Sequence, residues 1–374
     1  MPSSPITGHI PGLSRPLLSE VFASVADPRD PRGLRHPLAR VLVIAQAAVA
    51  AGARTLLGIS EWAGDVDREV LSRLGIDAGV RLPSESTIRR TLAGLDADDL
   101  DRRVAVWMAT RVGHIAGRTV IAVDGKSLRG GTPAGGVMPH LLAALHHSTG
   151  VVAGQRAVAT KSNEIPALPL LLAGFDLEGV VVTADALHCQ RGTAAYITSR
   201  DGHYVLTVKG NQPRLRAQLK ALPWGQVPAT STVTTSHGRR VRRTIKAVTA
   251  PTWLDFPGAA QVVQVRRTRI LKGRKTTEVV YAICSLDMIA APPTTVATWL
   301  QGHWSIENAL HWVRDVVFDE DRHQLRTGSG PQVMATLRNT AISLLRLAGH
   351  TRIAAGLRHH SRNPHRALDL ITSA

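Results

Sequence analysis

The sequence predicts an α/β fold in which a mixed sheet with helices is interrupted by a β-rich insertion and preceded by an all-α N-terminal domain. Three observations support this prediction. The first 118 residues show helical apolar patterns and capping residues, without strand-like alternation. From Thr119 onward, short apolar runs typical of buried strands alternate with helical patterns. Residues 211–280 then show alternating, arginine-rich segments that indicate further strands.

The N-terminal domain, residues 1–118, begins with a Pro- and charge-rich stretch at 1–36 that we expect to be extended. Helices are predicted at 37–52, in one or two pieces at 56–74, from Ser86 after the capping residues that follow Pro83, and at 101–112. The helix from Ser86 carries Arg89 and Arg90. It fits either the recognition helix of a helix-turn-helix or an ordinary surface helix, and the sequence leaves both open.

The second domain, residues 119–350, is predicted from the order of its elements. Strands are expected at 119–123, 140–148, 151–160, 180–183 and 204–208, with helices at 164–173 and 190–199. The order β-β-β-α-β-α-β is that of a ribonuclease H-like mixed sheet. The basic β-rich insertion at 211–280 follows, with a turn at Lys272–Lys275. Helices at 294–316 and 331–347 come next, and residues 351–374 are expected to form a basic tail.

Charge is the strongest compositional signal. The chain has 45 Lys and Arg against 28 Asp and Glu, a net charge of +17, and residues 211–280 alone contribute +12. Such an excess indicates a polyanionic partner, usually nucleic acid, although a solvated surface is the alternative. The candidate phosphate contacts outside the N-terminal domain are Lys126, Lys209, Arg239, Arg240, Arg242, Arg243, Lys272, Arg274, Lys275, His303 and Arg314.

Composition also excludes several classes of protein. Two cysteines, Cys189 and Cys284, are too few for a disulfide scaffold or a Cys-rich zinc module. The longest apolar run, residues 41–51, is too short to span a membrane. The N-terminus shows no basic start followed by an apolar stretch, so we expect no secretory signal and a cytoplasmic location.

Three carboxylates are candidates for chemistry. Asp124 and Asp185 each stand at the carboxyl end of an apolar strand, where ligands bind in α/β folds, although a single Asp there is often a turn residue. Glu307 stands in a largely apolar helix, where a carboxylate needs a partner. That partner is a metal ion, a salt bridge to Arg314 or His303, or solvent.

Three carboxylates with few cysteines form a hard oxygen set, which favours Mg²⁺ or Mn²⁺. Two such ions about 3.5–4 Å apart activate a water or a 3′-hydroxyl and stabilise the leaving oxygen. This is the chemistry of phosphodiester cleavage and strand transfer.

At these residues the chain resembles the DDE transposases, and within them the H-repeat-associated insertion-sequence family. The stretches that carry the resemblance include PSESTIRRTLAGLD, AVDGKSLRG, KSNEIPAL, VTADALHCQ, YVLTVKGNQP and HWSIENALHWVRDVVFDEDRHQ. The resemblance covers nearly the whole chain. It implies that Asp124, Asp185 and Glu307 are the metal-binding triad, and the separations of 61 and 122 residues fit this family. It also implies a helical domain that helps to bind element ends.

The sequence departs from the wider superfamily around Glu307. Leu300 replaces a Tyr, His303 an Arg and Arg314 a Lys. Without the Tyr, Trp304 or Trp312 is a candidate for stacking on a flipped base, although we interpret both as core residues. The acidic run at 319–321 is interpreted as a solvated face or helix end rather than as a source of further metal ligands.

The resemblance implies a DNA transposase that cleaves element ends and joins the 3′-hydroxyl to target DNA. Its partners would be double-stranded DNA, as terminal inverted repeats and target, and a second copy of the chain in the active complex. The location would be the bacterial cytoplasm, with association to the nucleoid. Two alternatives stay open: a nuclease with the same triad but no strand transfer, and a non-catalytic or domesticated DNA-binding relative.

Overall fold

The computed structural model describes residues 16–32, 34–112, 115, 117–133, 135–158, 164–236 and 239–372. The chain forms two compact units, each built from segments that are separated in sequence. The first, which we call the helical unit, comprises Met1–Ala116, Gly125–Ala167 and Ile306–Ala374. The second, the ribbon unit, comprises Gly117–Asp124 and Leu168–Ser305. An independent N-terminal domain stays a prediction.

The helices are, in chain order, α1 (Leu18–Ala23), α2 (Leu38–Ala50), α3 (Leu56–Asp65), α4 (Arg68–Arg73), α5 (Glu85–Ala93), α6 (Ala97–Val112), α7 (Glu164–Leu172), α8 (Arg191–Thr198), α9 (Pro213–Lys220), α10 (Pro293–Gly302), α11 (Gly330–Leu347), α12 (Ile353–Ser361) and α13 (Pro364–Thr372). The strands are β1 (Val120–Ser127), β2 (His140–His146), β3 (Val152–Val158), β4 (Val181–Ala184), β5 (His203–Val208), β6 (Thr230–Ser236), β7 (Arg239–Thr249), β8 (Gln261–Leu271) and β9 (Arg274–Cys284). No helix in the described ranges is long and apolar enough to cross a membrane.

The core of the helical unit is organised around α2. Ala, Val, Leu and Ile occupy most of its positions, so the helix is apolar nearly all round and is buried nearly all round. Of its two polar residues, Arg40 and Gln46, the second is fully buried and donates to the Leu337 carbonyl on α11, at 3.2 Å. The helix predicted at 37–52 is thus confirmed, and it packs against a helix almost 300 residues further along the chain.

Both ends of the helical unit differ from the sequence prediction. The lead-in expected to be extended contains α1, because Leu18 and Phe22 lie one turn apart and are both buried. Residues 1–15 lie outside the described residues. The expected basic tail forms α12 and α13, because apolar side chains such as Leu357 and Leu368 recur at helical spacing and are buried.

The strands form a mixed sheet with the order β3-β2-β1-β4-β5-β9-β8-β7-β6. β1, β4 and β5 are parallel neighbours, whereas β2 pairs antiparallel with β3 and β9 pairs antiparallel with β5. The predicted element order β-β-β-α-β-α-β is observed from β1 to β5. The basic insertion contains α9 and β6 in addition to the predicted strands, and its last strand, β9, joins the central sheet.

Strands β6–β9 form an antiparallel ribbon within the ribbon unit. Its base is packed on both faces: Ile245, Val263 and Ala282 join a cluster with Val296 of α10, and Tyr281 lies against the Trp224 ring. The β8–β9 connection is a two-residue turn in which Lys272 and Gly273 both have positive φ. This conformation matches the twist of the two strands that a hairpin turn connects. A turn was predicted at Lys272–Lys275.

Asp101 on α6 is a buried carboxylate in the helical unit. It accepts hydrogen bonds from Gln155, Gln332 and Thr336. Burial raises the pKa of Asp101 to about 7, although these three hydrogen bonds oppose the shift. The folded protein therefore holds this proton more tightly than the unfolded chain does.

This carboxyl predicts a pH dependence of stability. The contribution of Asp101 is greatest below its ordinary pKa of 3.8 and is lost as the pH rises to about 7, since ionisation favours the unfolded chain. We expect the unfolding free energy, measured with urea, to fall less steeply from about pH 4 to about pH 7 in Asp101→Asn than in wild type. Parallel pH profiles would contradict the prediction.

Candidate functional site

Asp124 and Asp185 lie side by side in the ribbon unit. Val123 on β1 pairs with Ala184 on the parallel strand β4, and each Asp is the next residue along its strand direction. Neighbouring strands are about 4.8 Å apart, so the two carboxylates project from the same edge of the sheet. Both residues are half-buried. The structure thus brings the two predicted aspartates together at the carboxyl ends of adjacent strands.

The loop that carries Asp185 is held by the loop after β5. Asp185 accepts a hydrogen bond from the Leu187 backbone N–H at 2.8 Å, which closes a short turn. Asn211 donates to the Ala186 carbonyl, and Gln212 donates to the Cys189 carbonyl at 2.9 Å. The sequence Lys209–Gln212 therefore serves to fix this turn, while the Lys209 side chain is exposed.

His303 lies next to the two aspartates, directly after α10. Its Nδ1 is 3.2 Å from the Thr183 hydroxyl. Burial lowers the pKa of His303, and the charges of Asp124 and Asp185 only partly oppose this shift. The imidazole is therefore neutral at neutral pH. The side chain at this position is therefore an uncharged, hydrogen-bonding ring.

Glu307 and His311 lie in the helical unit, on a π-helical segment at Glu307–His311. The Trp312 N–H bonds to the Glu307 carbonyl, five residues back, and such wide turns are frequent at functional sites. Glu307 is exposed and His311 is buried, and their potential ligand atoms lie within 4.8 Å of each other. A carboxylate oxygen and an imidazole nitrogen form a donor set that suits a divalent cation.

Two predicted phosphate contacts are buried instead. Arg314 is fully buried and pairs with Glu320 at 2.8 Å, so its charge is neutralised in the core. Lys126 is 8% exposed and donates to Asp315 on the second π-helical segment, Val313–Val317. Each side chain is held by a carboxylate of its own unit, and this corrects the expectation that both face DNA.

The run at 319–321, which was predicted to be a solvated acidic face or a helix end, lies at the start of a short 3-10 turn, and its middle residue is buried. Glu320 is 4% exposed and lies between the guanidinium groups of Arg314 and Arg338, each at 2.8 Å. Burial raises the pKa of Glu320, but the two arginines outweigh burial and hold it at about 2. Glu320 is therefore the ionised centre of a buried Arg–Glu–Arg triad.

A buried hydrogen-bonded chain lies beneath the strand residues that follow Asp124. His140 Nε2 is 2.8 Å from Glu164 Oε1, and His140 Nδ1 is 2.9 Å from the Ser127 hydroxyl. Gly125 packs directly on this pair, since a Cβ at that position would lie 2.5 Å from His140 Nε2. Sequence reasoning missed these residues. The one available signal was the glycine after Asp124, which marks a close approach.

The remaining predicted DNA contacts lie on exposed surfaces. Arg89 and Arg90 are exposed on α5, where Arg89 is 3.3 Å from Glu85. In the ribbon, Arg243 is half-buried, and the exposed residues are Arg239, Arg240, Arg242, Lys272, Arg274 and Lys275. Trp304 and Trp312, which we interpreted as core residues, are 60% and 53% exposed. The buried face of their segment runs through Ile306 and Leu310 instead.

Comparison with known proteins gives two family matches. The profile described as transposase DDE domain matches residues 115–344, and the profile described as DDE_Tnp_1-associated matches residues 19–108. Together they cover most of the chain, and the first alone covers more than half of it.

Individual relatives carry the same description. A candidate transposase of Escherichia coli O157:H7, YncI, is 32% identical over 347 residues, which are 88% of this chain and 87% of YncI. A candidate H repeat-associated transposase of E. coli K12, YhhI, is 30% identical over 92% of this chain and 94% of its own length. A chain of the piggyBac transposase synaptic complex with hairpin DNA, solved by cryo-EM, overlaps with a TM-score of 0.43 at 11% identity, over 96% of this chain and 77% of that one.

Proposed function

Because this chain belongs to the DDE transposase family, we propose that it cleaves DNA at the ends of an insertion sequence and transfers the freed 3′ end to target DNA. The observation that carries the proposal is the position of Asp124 and Asp185, which follow paired residues on adjacent parallel strands. Two carboxylates at one sheet edge form a binding site for divalent cations. The order of β1–β5 supports a ribonuclease H-like core for this domain.

We assign Glu307 as the third member of the triad. It is exposed at the first position of a π-helical turn, and His311 follows it within ligand distance. Asp124, Asp185 and Glu307 would hold two Mg²⁺ or Mn²⁺ ions.

Within this proposed site, the residues around the metal ligands have separate roles. Bound divalent ions supply a nucleophilic oxygen at neutral pH and stabilise the leaving oxygen of an in-line displacement. The Leu187 N–H and the Asn211 side chain keep Asp185 and its turn in place. His303 is neutral and is held by its hydrogen bond with Thr183, so it adds no charge beside the two aspartates.

DNA binding is assigned to the exposed cations. The ribbon arginines and lysines contact phosphates, and Lys209 lies at the end of β5, one strand from Asp185. Arg89 and Arg90 on α5 contribute from the N-terminal helices, which we propose bind element ends. The exposed rings of Trp304 and Trp312 are available to stack on an unpaired base. Pairing two ends implies at least a dimer during the reaction, and we propose that the protein associates with the bacterial nucleoid because its substrate is DNA.

The test is cleavage of labelled DNA that carries the element's own flanking ends, with Mg²⁺ or Mn²⁺. Glu307→Gln removes one charge with little change of shape. We expect this variant to bind DNA but to cleave more than about 100-fold more slowly, since loss of a ligand exceeds the 10–100-fold effect of losing its outer-shell partner. Glu69→Gln, on the exposed side of α4, is the matched control and should cleave normally.

Each result discriminates among the functions. Joined products in addition to cleaved ends select a transposase over a nuclease without strand transfer. Binding without cleavage by the wild type, with either ion, selects a non-catalytic DNA-binding relative. Equal cleavage by wild type and Glu307→Gln would remove Glu307 from the site.

A further inference from the structure

The far halves of β6–β9 are largely exposed on both faces, and Val241 is the one buried side chain among their described residues. We call this part the distal ribbon: residues 230–236, 239–244, 266–271 and 274–279. Every residue of β6 is exposed, and so are residues 274–279 of β9. A sheet normally buries at least one face, and the base of the same ribbon does so on both. The exposed faces of the distal ribbon therefore require another explanation than core formation.

Strand register assigns each cation to a face. Arg243 lies opposite Arg267, which lies opposite Glu278, so these three share one face. By alternation, the cations of this first face are Arg239, Arg243, Arg267, Arg269 and Arg274. The cations of the second face are Arg240, Arg242, Arg266 and Lys275. Glu278 is the one acidic residue among the described positions of the distal ribbon, so each face has a net charge of +4.

In the free protein, the positively charged side chains of the distal ribbon lie close enough to repel one another. Burial lowers the pKa of Arg243, and the neighbouring Arg267 and Arg239 charges lower it further. Arg267 is partly compensated by Glu278, at 2.5 Å, while the described residues of the second face include no carboxylate. Polyanions relieve such repulsion on whichever face they contact. A polyanion that contacts one face alone does not relieve the repulsion among the cations of the other face.

The width of the distal ribbon excludes a single DNA duplex as the partner of both of its faces. Four strands at about 4.8 Å spacing span about 14 Å before side chains are added. The major groove of B-DNA is about 12 Å wide and accepts a two-stranded ribbon. The distal ribbon is therefore too wide to enter a groove and lies against the phosphate backbone by one face. Side chains of the opposite face point away from that duplex.

We propose that the two faces of the distal ribbon bind two separate DNA duplexes at once, one an element end and the other target DNA. The inference rests on the proposed function for the identity of the two duplexes. The two-sided charge itself follows from the register of β6–β9 alone. The ribbon then bridges the two substrates that strand transfer must join.

The experiment uses the full-length protein without divalent metal, so that only binding is measured. One 30-base-pair duplex, a length of about three helical turns, is immobilised, protein is added, and capture of a second, fluorescent duplex is recorded. The first-face variant is Arg239→Gln, Arg243→Gln, Arg269→Gln, and the second-face variant is Arg240→Gln, Arg242→Gln, Arg266→Gln. The control is Arg352→Gln, Arg358→Gln, Arg362→Gln, which removes the same charge from exposed positions of the helical unit.

We expect wild type and control to capture the second duplex. Each face variant should still bind the first duplex but lose capture of the second, and the six-substitution variant should lose capture and bind the first duplex more weakly than either face variant. The salt dependence of the affected step should weaken by about 2–3 in log–log slope for three lost contacts. The inference is overturned if one face variant abolishes all binding while the other changes nothing, or if both retain capture. Capture of only one duplex by a wild type that cleaves DNA in a separate reaction with Mg²⁺ would contradict this inference and leave the proposed function standing.

Discussion

Glu320→Gln is expected to lower the unfolding free energy by about 3–5 kcal/mol, because it leaves two buried guanidinium groups without their counter-charge. Arg314 and Arg338 are 0% and 2% exposed, so solvent cannot replace the carboxylate. Urea unfolding at neutral pH measures the loss. A change below about 1 kcal/mol would mean that the triad is held by its surroundings rather than by its charges.

The matched control is Glu278→Gln, which also removes a carboxylate paired with an arginine. Its pair with Arg267 is about half exposed, so we expect an effect of less than about 1 kcal/mol. The pH dependence has a definite sign. Because the pKa of Glu320 is lowered to about 2 in the folded protein, its contribution is complete above its ordinary pKa of 4.5 and is lost as the pH falls toward 2.

Gly125→Ala is the second substitution for which we expect a large effect. The added Cβ would lie 2.5 Å from His140 Nε2 and 2.6 Å from the Glu164 carboxyl carbon, both of which are buried. Overpacking of this kind costs about 1–3 kcal/mol. The strand must also shift at the residue next to Asp124, and a displacement of about 1 Å near reacting groups slows a reaction about 100-fold. End cleavage and urea unfolding, measured on the same preparation, test both effects.

Gly192→Ala is the control for this substitution. Gly192 lies within α8, where an added Cβ meets nothing within 4 Å, so stability should be unchanged or slightly higher and cleavage normal. A Gly125→Ala protein that is as stable and as active as wild type would show that the His140–Glu164 pair does not constrain Asp124. Glu164→Gln keeps the size of the side chain and removes its charge. This substitution therefore separates the packing contribution to stability and cleavage from the electrostatic contribution.

The central strands could be predicted because burial on both faces leaves a clear trace in the sequence. The run that becomes β4 is buried throughout and apolar except for Thr183, and its pairing with β1 follows from the parallel order of the predicted elements. This order also explains why Asp124 and Asp185 could be placed at one sheet edge before any coordinates. The boundaries of these central strands moved by up to four residues, most visibly in β1, which continues beyond Asp124 to Ser127, whereas the single helix predicted at 294–316 is observed as α10 followed by two π-helical segments.

Other features left no such trace. Strand β6 is exposed on both faces, so the polar stretch TSTVTTS lacks the alternation that marks a half-buried strand. The partners of Arg314 and Lys126 depend on tertiary contacts and could not be read from spacing. The two tryptophans were interpreted as core residues because the helix that carries them is largely apolar. The buried stripe through Ile306, Leu310 and Val313 instead leaves Trp304 and Trp312, eight residues apart, on the opposite side.

The helical unit is built from segments near both ends of the chain, and this arrangement determines when the unit can form during synthesis. Its N-terminal helices leave the ribosome first, but the contact from Gln46 on α2 is made with Leu337 on α11, near the other end of the chain. Residues 117–305 emerge in between and contain the whole of the ribbon unit. The ribbon unit can therefore fold cotranslationally, whereas the helical unit waits for release of the chain. A nascent or truncated polypeptide that lacks residues 306–374 would present the basic ribbon without Glu307, and so would hold DNA without the means to cut it.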